Sequence, residues 1–461
     1  MSMDNSQKIP KRILSTLMNA VSAGVVPRTG APYLAIGRTE EIAALAGDLD
    51  SVSEGASTIR FLIGKYGSGK SFLIQLIRSS AMERNFVCAD ADLSPERRIS
   101  GGNGAGLATY RELIKNLSTK SVPDGGALPF ILTRWLSSLQ SEAASSGLSP
   151  ETEAFAEFVR EHIFSVADDV SGEVCGFDFA RVLHVYYQAY LDGDDEKKNC
   201  CLRWFRGEYS TKTEARADLS VGAIITDETW YEFCKLWAVF FRRIGYAGLL
   251  IAVDECVNLY KISNRVAREK NYEKLLTMFN DVLQGKAEGI CLLFGGTPQF
   301  LEDTRRGLYS YEALHSRLAE GQFNGISADN RTVYKNLIGP VIRLRRLSKD
   351  ELFALVTRVT RLHSMQYDWT PPVSREEMVE FLDICLSRIG ADSMITPREI
   401  IRDYCTILNI LLQNPGTQFV QVLNGGAVRL ESRPNSAEAE EESPVPKTVS
   451  PENSLFEEIE L

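Results

Sequence analysis

The chain has few of the residues that build zinc sites and no segment that would cross a membrane. Only four of its 461 residues are histidines, and its nine cysteines form no Cys-x-x-Cys pair. A zinc site is therefore not expected, and most of the cysteines are expected to be small buried side chains. No apolar run approaches the roughly 18 residues of a membrane span, and residues 1–8 contain no apolar signal core. We therefore expect a cytoplasmic protein with no membrane partner.

Excess charge is also scarce outside the C-terminal end. Residues 431–461 contain nine acidic and two basic residues, a net charge of −7, whereas the whole chain carries −10. The remainder is thus close to neutral, so acidity does not argue against a nucleic-acid partner. Ser, Pro and Glu dominate this tail, which predicts disorder. Its last residues could instead form a short helix whose apolar stripe docks on a partner: Leu455, Phe456, Ile459 and Leu461.

The most informative motif lies at residues 64–71, which match the pattern G-x-x-x-x-G-K-[ST] completely. It follows the mostly apolar run 59–63 and precedes a segment with helical periodicity, the context of a phosphate-binding loop. Glycines let the backbone N–H groups approach phosphates, the following helix adds its positive dipole end, and Lys70 would reach the β- and γ-phosphates. Ser71 would ligate Mg²⁺. The residues expected to contact ATP are Gly64, Lys65, Tyr66, Gly67, Ser68, Gly69, Lys70, Ser71 and Phe72.

A second motif supplies the acidic half of the predicted site. Residues 248–253 form a near-continuous apolar run, as expected for a strand buried on both faces, and Asp254 and Glu255 follow it directly. An apolar strand that ends in Asp-Glu is the Walker B pattern of P-loop ATPases that hydrolyse ATP. Asp254 is expected to hold Mg²⁺, usually through water, and Glu255 to polarise the attacking water.

Two further polar residues are candidates for catalysis beside the γ-phosphate. The apolar strand 290–294 leads into Gly-Gly-Thr-Pro, which places Thr297 where a polar sensor lies between phosphate and water. Thr-Pro-Arg opens the last long helix, so Arg398 could reach back to the γ-phosphate. The structural alternatives stay open, because Thr297 could simply end a strand and Arg398 could be a solvated surface residue.

Other arginines allow less specific assignments. Arg305, Arg306 and Arg317 are candidates for an arginine finger that acts on a neighbouring subunit, and the sequence does not choose among them. The basic clusters at 242–243 and 343–346 could touch nucleic-acid phosphates. Since no aromatic residues are interleaved with them, solvated faces are the better interpretation, and DNA stays a possible partner.

The order of apolar and helical segments predicts an α/β fold with a parallel sheet covered on both faces. Thr39 is placed to cap the helix that follows it. Strands are expected at 59–63, 86–91, 248–253, 290–294 and 341–345, and helices at 9–24, 349–365, 374–389 and 397–413. The expected units are N-terminal helices with the start of a P-loop core (1–106), a large helical insertion (107–245), the rest of the core (246–346), a C-terminal helical lid (347–430) and the acidic tail (431–461).

Six short blocks occur in an order that resembles a known family. They are Gly-Arg-x-x-Glu at 37–41, the loop at 64–71, Arg-Trp-Phe-Arg-Gly-Glu at 203–208, Val-Asp-Glu-Cys-Val-Asn-Leu at 253–259, Gly-Thr-Pro at 296–298 and Thr-Pro-Arg at 396–398. Together they resemble the ATP-binding proteins of bacterial BREX-type phage-defence clusters (the BrxD-like group), which are AAA+-type P-loop proteins. The resemblance spans about residues 8–415. It implies an AAA+-like fold, ATP hydrolysis, a role in antiviral defence and partnership with a helicase or other defence proteins.

These observations favour a Mg²⁺-dependent ATPase that acts as a motor or switch in a defence complex. The alternative is a nucleotide-gated scaffold with little or no hydrolysis, which recruits a helicase or another partner. A small-molecule kinase is a weaker third interpretation, because the sequence shows no acceptor-site motif. An AAA+-type site is usually completed between subunits, so self-association is expected.

Overall fold

Most of the chain forms α-helices around one central β-sheet. The structure is a computed structural model, and it describes residues 9–171, 176–319, 336–387 and 396–424. The acidic tail at 431–461, with its predicted disorder and its apolar stripe, lies outside the described residues.

The sheet has five parallel strands in the order β2–β3–β4–β1–β5. The strands are β1 (Thr58–Ile63), β2 (Val87–Asp92), β3 (Leu249–Asp254), β4 (Ile290–Gly296) and β5 (Val341–Arg343). These are the predicted strands, with small shifts at their ends, and the α/β fold class is confirmed. β3 and β4 are buried at every position, as expected for parallel strands covered on both faces.

Helices fall into three groups along the chain. The first group comprises α1 (Lys11–Ser22), α2 (Ala31–Leu34), α3 (Thr39–Ser53) and α4 (Lys70–Glu83). The second comprises α5 (Ala105–Lys115), α6 (Leu128–Ser145), α7 (Glu153–Ser171), α8 (Gly176–Leu191), α9 (Asp195–Phe205), α10 (Lys212–Leu219) and α11 (Trp230–Arg243). The third comprises α12 (Val257–Tyr260), α13 (Arg265–Leu283), α14 (Pro298–Glu302), α15 (Glu312–Leu318), α16 (Lys349–Tyr367), α17 (Arg375–Ser387), α18 (Pro397–Gln413) and α19 (Phe419–Asn424).

Alternate side chains of the strands enter two different cores, because successive residues of a strand point to opposite faces. Phe61 belongs to a large cluster with the helices of the 107–245 stretch, whereas Leu62 belongs to a smaller cluster with α3 and α4. The helices α5 to α11 therefore cover one face of the sheet, and α3 and α4 cover the other. Among the described residues of the 107–245 stretch, the only β-type pairing is an isolated bridge from Ser118 to Cys88, as the predicted helical insertion requires.

The C-terminal helices form a third core, which we call the lid. Here α16, α17 and α18 bury one another, and the amphipathic α1 joins them through Leu14, Leu17 and Met18. The first described helix therefore packs on the lid. Capping boxes fix where two lid helices begin, Ser348 with Glu351 for α16 and Thr396 with Glu399 for α18. The domain boundaries drawn from the sequence stay predictions.

One predicted cap is wrong. Helix α3 begins at Thr39 itself, and its N-cap residue is Arg38, which has a left-handed backbone (φ 60°) and makes no side-chain capping bond. Among the residues that the structure describes, no helix combines the length and the apolar character needed to cross a membrane.

Candidate functional site

The predicted phosphate-binding loop connects β1 to the start of α4. Gly67 and Gly69 have left-handed backbones (φ 75° and 85°), which glycine adopts without strain. Gly64 is required for a different reason: a Cβ there would lie 2.4 Å from the hydroxyl oxygen of Ser68. Helix α4 begins at Lys70 with no side-chain cap on its first N–H groups. The loop therefore presents a helix N-terminus of the kind that binds anions.

Lys70 lies folded back onto its own loop. Its Nζ donates hydrogen bonds to the carbonyl oxygens of Gly64 (2.9 Å) and Lys65 (3.3 Å). The ammonium group thus stays close to the loop backbone, and Lys70 lines the cavity that adjoins the loop.

Ser71 and Asp254 meet at the centre of the site. The Ser71 hydroxyl donates a hydrogen bond of 2.5 Å to Asp254 Oδ2, and Asp254 Oδ1 accepts the backbone N–H of Glu255 at 2.8 Å. Only 7 % of Asp254 is exposed. Gly295 on β4 makes room for this carboxylate, since a Cβ there would lie 2.2 Å from Asp254 Oδ1. The two predicted metal-ligating residues are therefore adjacent, and both present oxygen atoms.

Glu255 follows β3 directly and has a left-handed backbone (φ 57°), uncommon for a residue other than glycine. Partial desolvation of its carboxylate raises the pKa of Glu255, the nearby Asp254 carboxylate adds to the rise, and Lys70 opposes it. Glu255 and Lys70 line the same cavity. The predicted base and the predicted phosphate ligand thus face a common space.

A third carboxylate, Asp92, was not recognised from the sequence as part of the site. Asp92 ends β2 and is the register partner of Asp254 on β3. Partial desolvation and then the neighbouring Asp254 raise the pKa of Asp92, while Arg28 opposes the rise. The sequence places Asp92 at the end of a predicted strand, but it does not show that this strand lies beside β3.

The cavity above the loop has a volume of about 240 Å³ and is bounded by three parts of the chain. The loop and α4 supply seven of the nine predicted nucleotide contacts: Tyr66, Gly67, Ser68, Gly69, Lys70, Ser71 and Phe72. Gly64 and Lys65 lie in the loop but are not among its lining residues. The remaining walls are largely apolar and come from the N-terminal segment and the lid, including Val25, Val26, Leu34, Ile36, Leu347 and Ile401. Sequence analysis did not predict these walls.

Arg398 lines this cavity together with Lys70 and Glu255. It is an exposed residue in the first turn of α18. The start of this helix is held close to the phosphate loop, because a Cβ on Gly67 would lie 3.0 Å from Thr396 Cγ2. The structure therefore brings Arg398 to the site, as its predicted role requires.

Thr297 lies at the same edge of the sheet but is not among the residues that line the cavity. Its hydroxyl accepts the N–H of Phe300 at 3.3 Å and caps α14. The neighbouring Gly296 carbonyl accepts the N–H of Gly64 at 3.1 Å, which joins the end of β4 to the start of the loop. Capping is thus the contact that the structure shows for Thr297, and its sensor role stays a prediction.

The arginine-finger candidates differ in their contacts. Arg306 lies 5.1 Å from the centre of the Tyr260 ring, and Arg317 donates to Asn280 (3.1 Å) and to the carbonyl of Ala313 (2.7 Å). Arg305 is exposed. Arg317 is exposed as well, so the structure does not choose among the three candidates, and the arginine finger stays a prediction.

The basic clusters are engaged within the chain. Arg242 pairs with Glu288 at 3.9 Å, Arg343 pairs with Glu302, and Arg345 pairs with Glu351 at 2.7 Å. These contacts agree with the interpretation of the clusters as structural surface, and contact with DNA stays a prediction.

Comparison with known proteins identifies the family. A search of curated proteins found no match. The family model described as "BREX system ATP-binding protein BrxC/D" matches residues 9–426, which include the phosphate loop, the Asp-Glu pair, the insertion and the described lid helices. The chain therefore belongs to the BrxC/D family of BREX system ATP-binding proteins.

Proposed function

We propose that the chain is a Mg²⁺-dependent ATPase that acts as a motor or switch in a bacterial anti-phage defence complex. Membership of a BREX ATP-binding family supports ATP as the ligand. The observation that carries the hydrolytic assignment is the 2.5 Å contact between Ser71 and Asp254, beside a cavity lined by Lys70, Glu255 and Arg398.

The shape of the cavity favours one orientation of the nucleotide. Phosphates would lie against the loop amides and the N-terminus of α4, where Lys70 can exchange its carbonyl partners for phosphate oxygens. The apolar walls from Val25, Val26 and Leu34 suit the flat face of an adenine base. Arg398 would contact the γ-phosphate from the lid side.

Ser71 at the start of α4 and Asp254 at the end of β3 fit a magnesium ion. A hydroxyl and a carboxylate supply hard oxygen ligands, and Mg²⁺ in nucleotide sites commonly takes only one or two protein ligands, with phosphates and water as the others. Among the described residues, no group of three or more His, Cys, Asp and Glu side chains is arranged as an all-protein metal site. Desolvation, and next to it the neighbouring Asp254 carboxylate, raises the pKa values of Glu255 and Asp92, and a bound cation would oppose both effects.

Glu255 would act as the general base. It would take a proton from a water molecule as the water oxygen attacks the γ-phosphorus and the bond to the bridging oxygen of ADP breaks. The desolvation that raises the pKa of Glu255 makes its carboxylate a stronger base than an ordinary glutamate. Lys70 and Arg398 would stabilise the charge that the phosphate oxygens carry during the transfer.

The second candidate is the nucleotide-gated scaffold, and one observation favours it. The cavity is bounded by the loop, the N-terminal segment and the lid, so nucleotide binding alone could fix their arrangement without turnover. A helicase or another defence protein would then recognise that arrangement, and self-association would complete the site through one of the arginine-finger candidates, Arg305, Arg306 or Arg317.

The test is a phosphate-release assay on the purified full chain with Mg²⁺ and ATP, alone and with single- or double-stranded DNA. Hydrolysis that needs Mg²⁺ is expected. ATP binding without phosphate release under every condition, including added defence partners, would favour the scaffold. Mass measurement with and without ATP would test self-association.

A further inference from the structure

The Gly-Arg-x-x-Glu block at 37–41 forms a contact point between the phosphate loop and the lid. Both Gly37 and Arg38 have left-handed backbones (φ 66° and 60°). This conformation is common for glycine but unfavourable for arginine. Residues held in such a conformation usually depend on surrounding contacts. The backbone of this block therefore depends on the contacts that Arg38 makes.

The Arg38 guanidinium donates to two backbone carbonyls. Its Nη2 donates to the carbonyl of Ser68 in the phosphate loop at 2.6 Å, and also to the carbonyl of Arg345. Its Nη1 lies 3.7 Å from Glu41, and each of these two side chains is less than a tenth exposed. Arg38 is thus a largely buried cation that joins segments about 30 and 300 residues away in the chain.

The contact with Ser68 constrains the peptide group of residues 68 and 69. The carbonyl of Ser68 and the N–H of Gly69 belong to one planar trans unit and point in opposite directions. When Arg38 holds that carbonyl, the N–H of Gly69 must face the other way. Among the described residues no hydrogen-bond partner is found for this N–H, and Gly69 lines the nucleotide cavity.

The contact with Arg345 reaches the beginning of the lid. The Arg345 side chain makes two hydrogen bonds to Glu351, at 2.7 and 2.8 Å, and Glu351 is the capping-box residue of α16. Glu351 also lies against Gly37, where a Cβ would be only 2.5 Å from its Oε1. The loop carbonyl and the first lid helix therefore meet at neighbouring residues of one block.

We propose that Arg38 is a positioning residue that aims the Gly69 N–H at the nucleotide phosphates and ties the phosphate loop to the lid. This inference rests on the proposed nucleotide site. It predicts that phosphate binding at the loop stabilises the start of α16, and that the Arg38 side chain transmits this effect. Arg38 itself takes no part in bond breaking.

The test compares the wild-type full chain with Arg38→Ala and Arg38→Lys. ATP affinity is measured with a fluorescent ATP analogue, and the thermal midpoint is measured without nucleotide. Arg38→Ala should weaken binding by about tenfold, the loss expected for one charge-assisted hydrogen bond. Arg38→Lys should be intermediate, because the lysine ammonium ends one bond short of the Nη2 position that donates to both carbonyls.

The matched control is Arg160→Ala on α7, whose half-exposed side chain pairs with Glu157 of its own helix at 2.7 Å, and it should retain wild-type affinity. A second readout is amide exchange at the start of α16. ATP should slow it in the wild type but much less in Arg38→Ala, an effect that a merely structural role would not produce.

The outcomes separate the two proposals. If the wild type binds no ATP, both the nucleotide site and the role of Arg38 are wrong. If the wild type binds ATP and a folded Arg38→Ala binds it equally well, only the role of Arg38 is wrong. If Arg38→Ala does not fold, wild-type affinity in a folded Arg38→Lys, with unchanged α16 protection, overturns the inference.

Discussion

Ser71 Oγ lies 2.5 Å from Asp254 Oδ2, although 183 residues separate the two positions in the chain. The whole helical insertion lies between them in sequence, and parallel pairing of β1, β4 and β3 brings them together. The phosphate loop follows β1 and the acidic pair follows β3, so both motifs sit at the carboxyl edge of one sheet, where α/β folds commonly bind ligands.

Replacing Glu255 by glutamine should separate binding from turnover. The amide keeps the shape of the side chain but cannot accept a proton from water, so phosphate release should fall by about 100-fold or more. ATP affinity should stay close to that of the wild type. Glu142→Gln, on the exposed face of α6, is the control. Unchanged phosphate release in Glu255→Gln would remove Glu255 from the proposed mechanism.

Replacing Ser71 by alanine should weaken the effect of Mg²⁺ on ATP binding. The change removes one oxygen ligand and leaves the loop amides and Lys70 in place, so binding in the presence of a chelator should change little. The measurement is ATP affinity with and without Mg²⁺. Ser79→Ala on the same helix is the control, because the Ser79 hydroxyl donates to the Gln75 carbonyl of its own helix at 2.9 Å. A variant that responds to Mg²⁺ like the wild type would contradict the metal assignment.

Replacing Gly295 by alanine should displace the Asp254 carboxylate from its position in the site. The added Cβ would lie 2.2 Å from Asp254 Oδ1, so the carboxylate or the strand has to move. We expect loss of Mg²⁺-dependent phosphate release and a lower thermal midpoint, with a cost of about 1–3 kcal/mol for overpacking. Gly47→Ala is the matched control. No atom lies within 4 Å of its added Cβ, and it is in the interior of α3, where alanine should stabilise. Normal activity in Gly295→Ala would show that the Asp254 position is not critical.

Acid should destabilise the lid through His363. This residue is fully buried, Trp369 Nε1 donates to its Nδ1 at 2.9 Å, and its Nε2 donates to Asn409 Oδ1 at 2.9 Å. Burial lowers the pKa of His363, so the folded chain resists protonation that the unfolded chain accepts. The stabilisation is complete above the unfolded pKa of about 6.5 and is lost as the pH falls toward the folded value.

The measurement is the free energy of unfolding between pH 5 and 8 in the wild type and in His363→Gln. Below about pH 6.5 the free energy of unfolding should fall with decreasing pH in the wild type. The same fall should be shallower in His363→Gln. Equal slopes in the two proteins would show that His363 does not control this part of the pH dependence.

The local parts of the site could be predicted from the sequence. A buried parallel strand is a continuous apolar run, and the residues after such a strand are at the carboxyl edge of the sheet, so Lys70, Ser71, Asp254 and Glu255 could be assigned from nearby residues alone. The same reasoning identified all five strands and the main lid helices.

The remaining parts depend on contacts between distant segments. Val25 and Val26 become a cavity wall only because α1 packs on the lid, and Asp92 joins the site only through its register with Asp254. The role of Arg38 was not predicted, although its block at 37–41 was recognised, for a related reason. Its backbone conformation and its two carbonyl partners are set by tertiary contacts, whereas local pattern placed the helix cap at Thr39. Helix caps are also where sequence-based boundaries shift by a residue.

The packing of α1 on the lid has a practical consequence. Leu14, Leu17, Met18 and Val21 fill a core whose other buried members are Leu34 and residues between 352 and 422. Trimming the chain before the P-loop domain, as a minimal expression design would suggest, would leave α16 and α18 with a bare apolar surface. The shortened protein should therefore be prone to aggregation. It should also lose the apolar wall that the N-terminal segment adds to the proposed nucleotide cavity, even though every residue of the phosphate loop is retained.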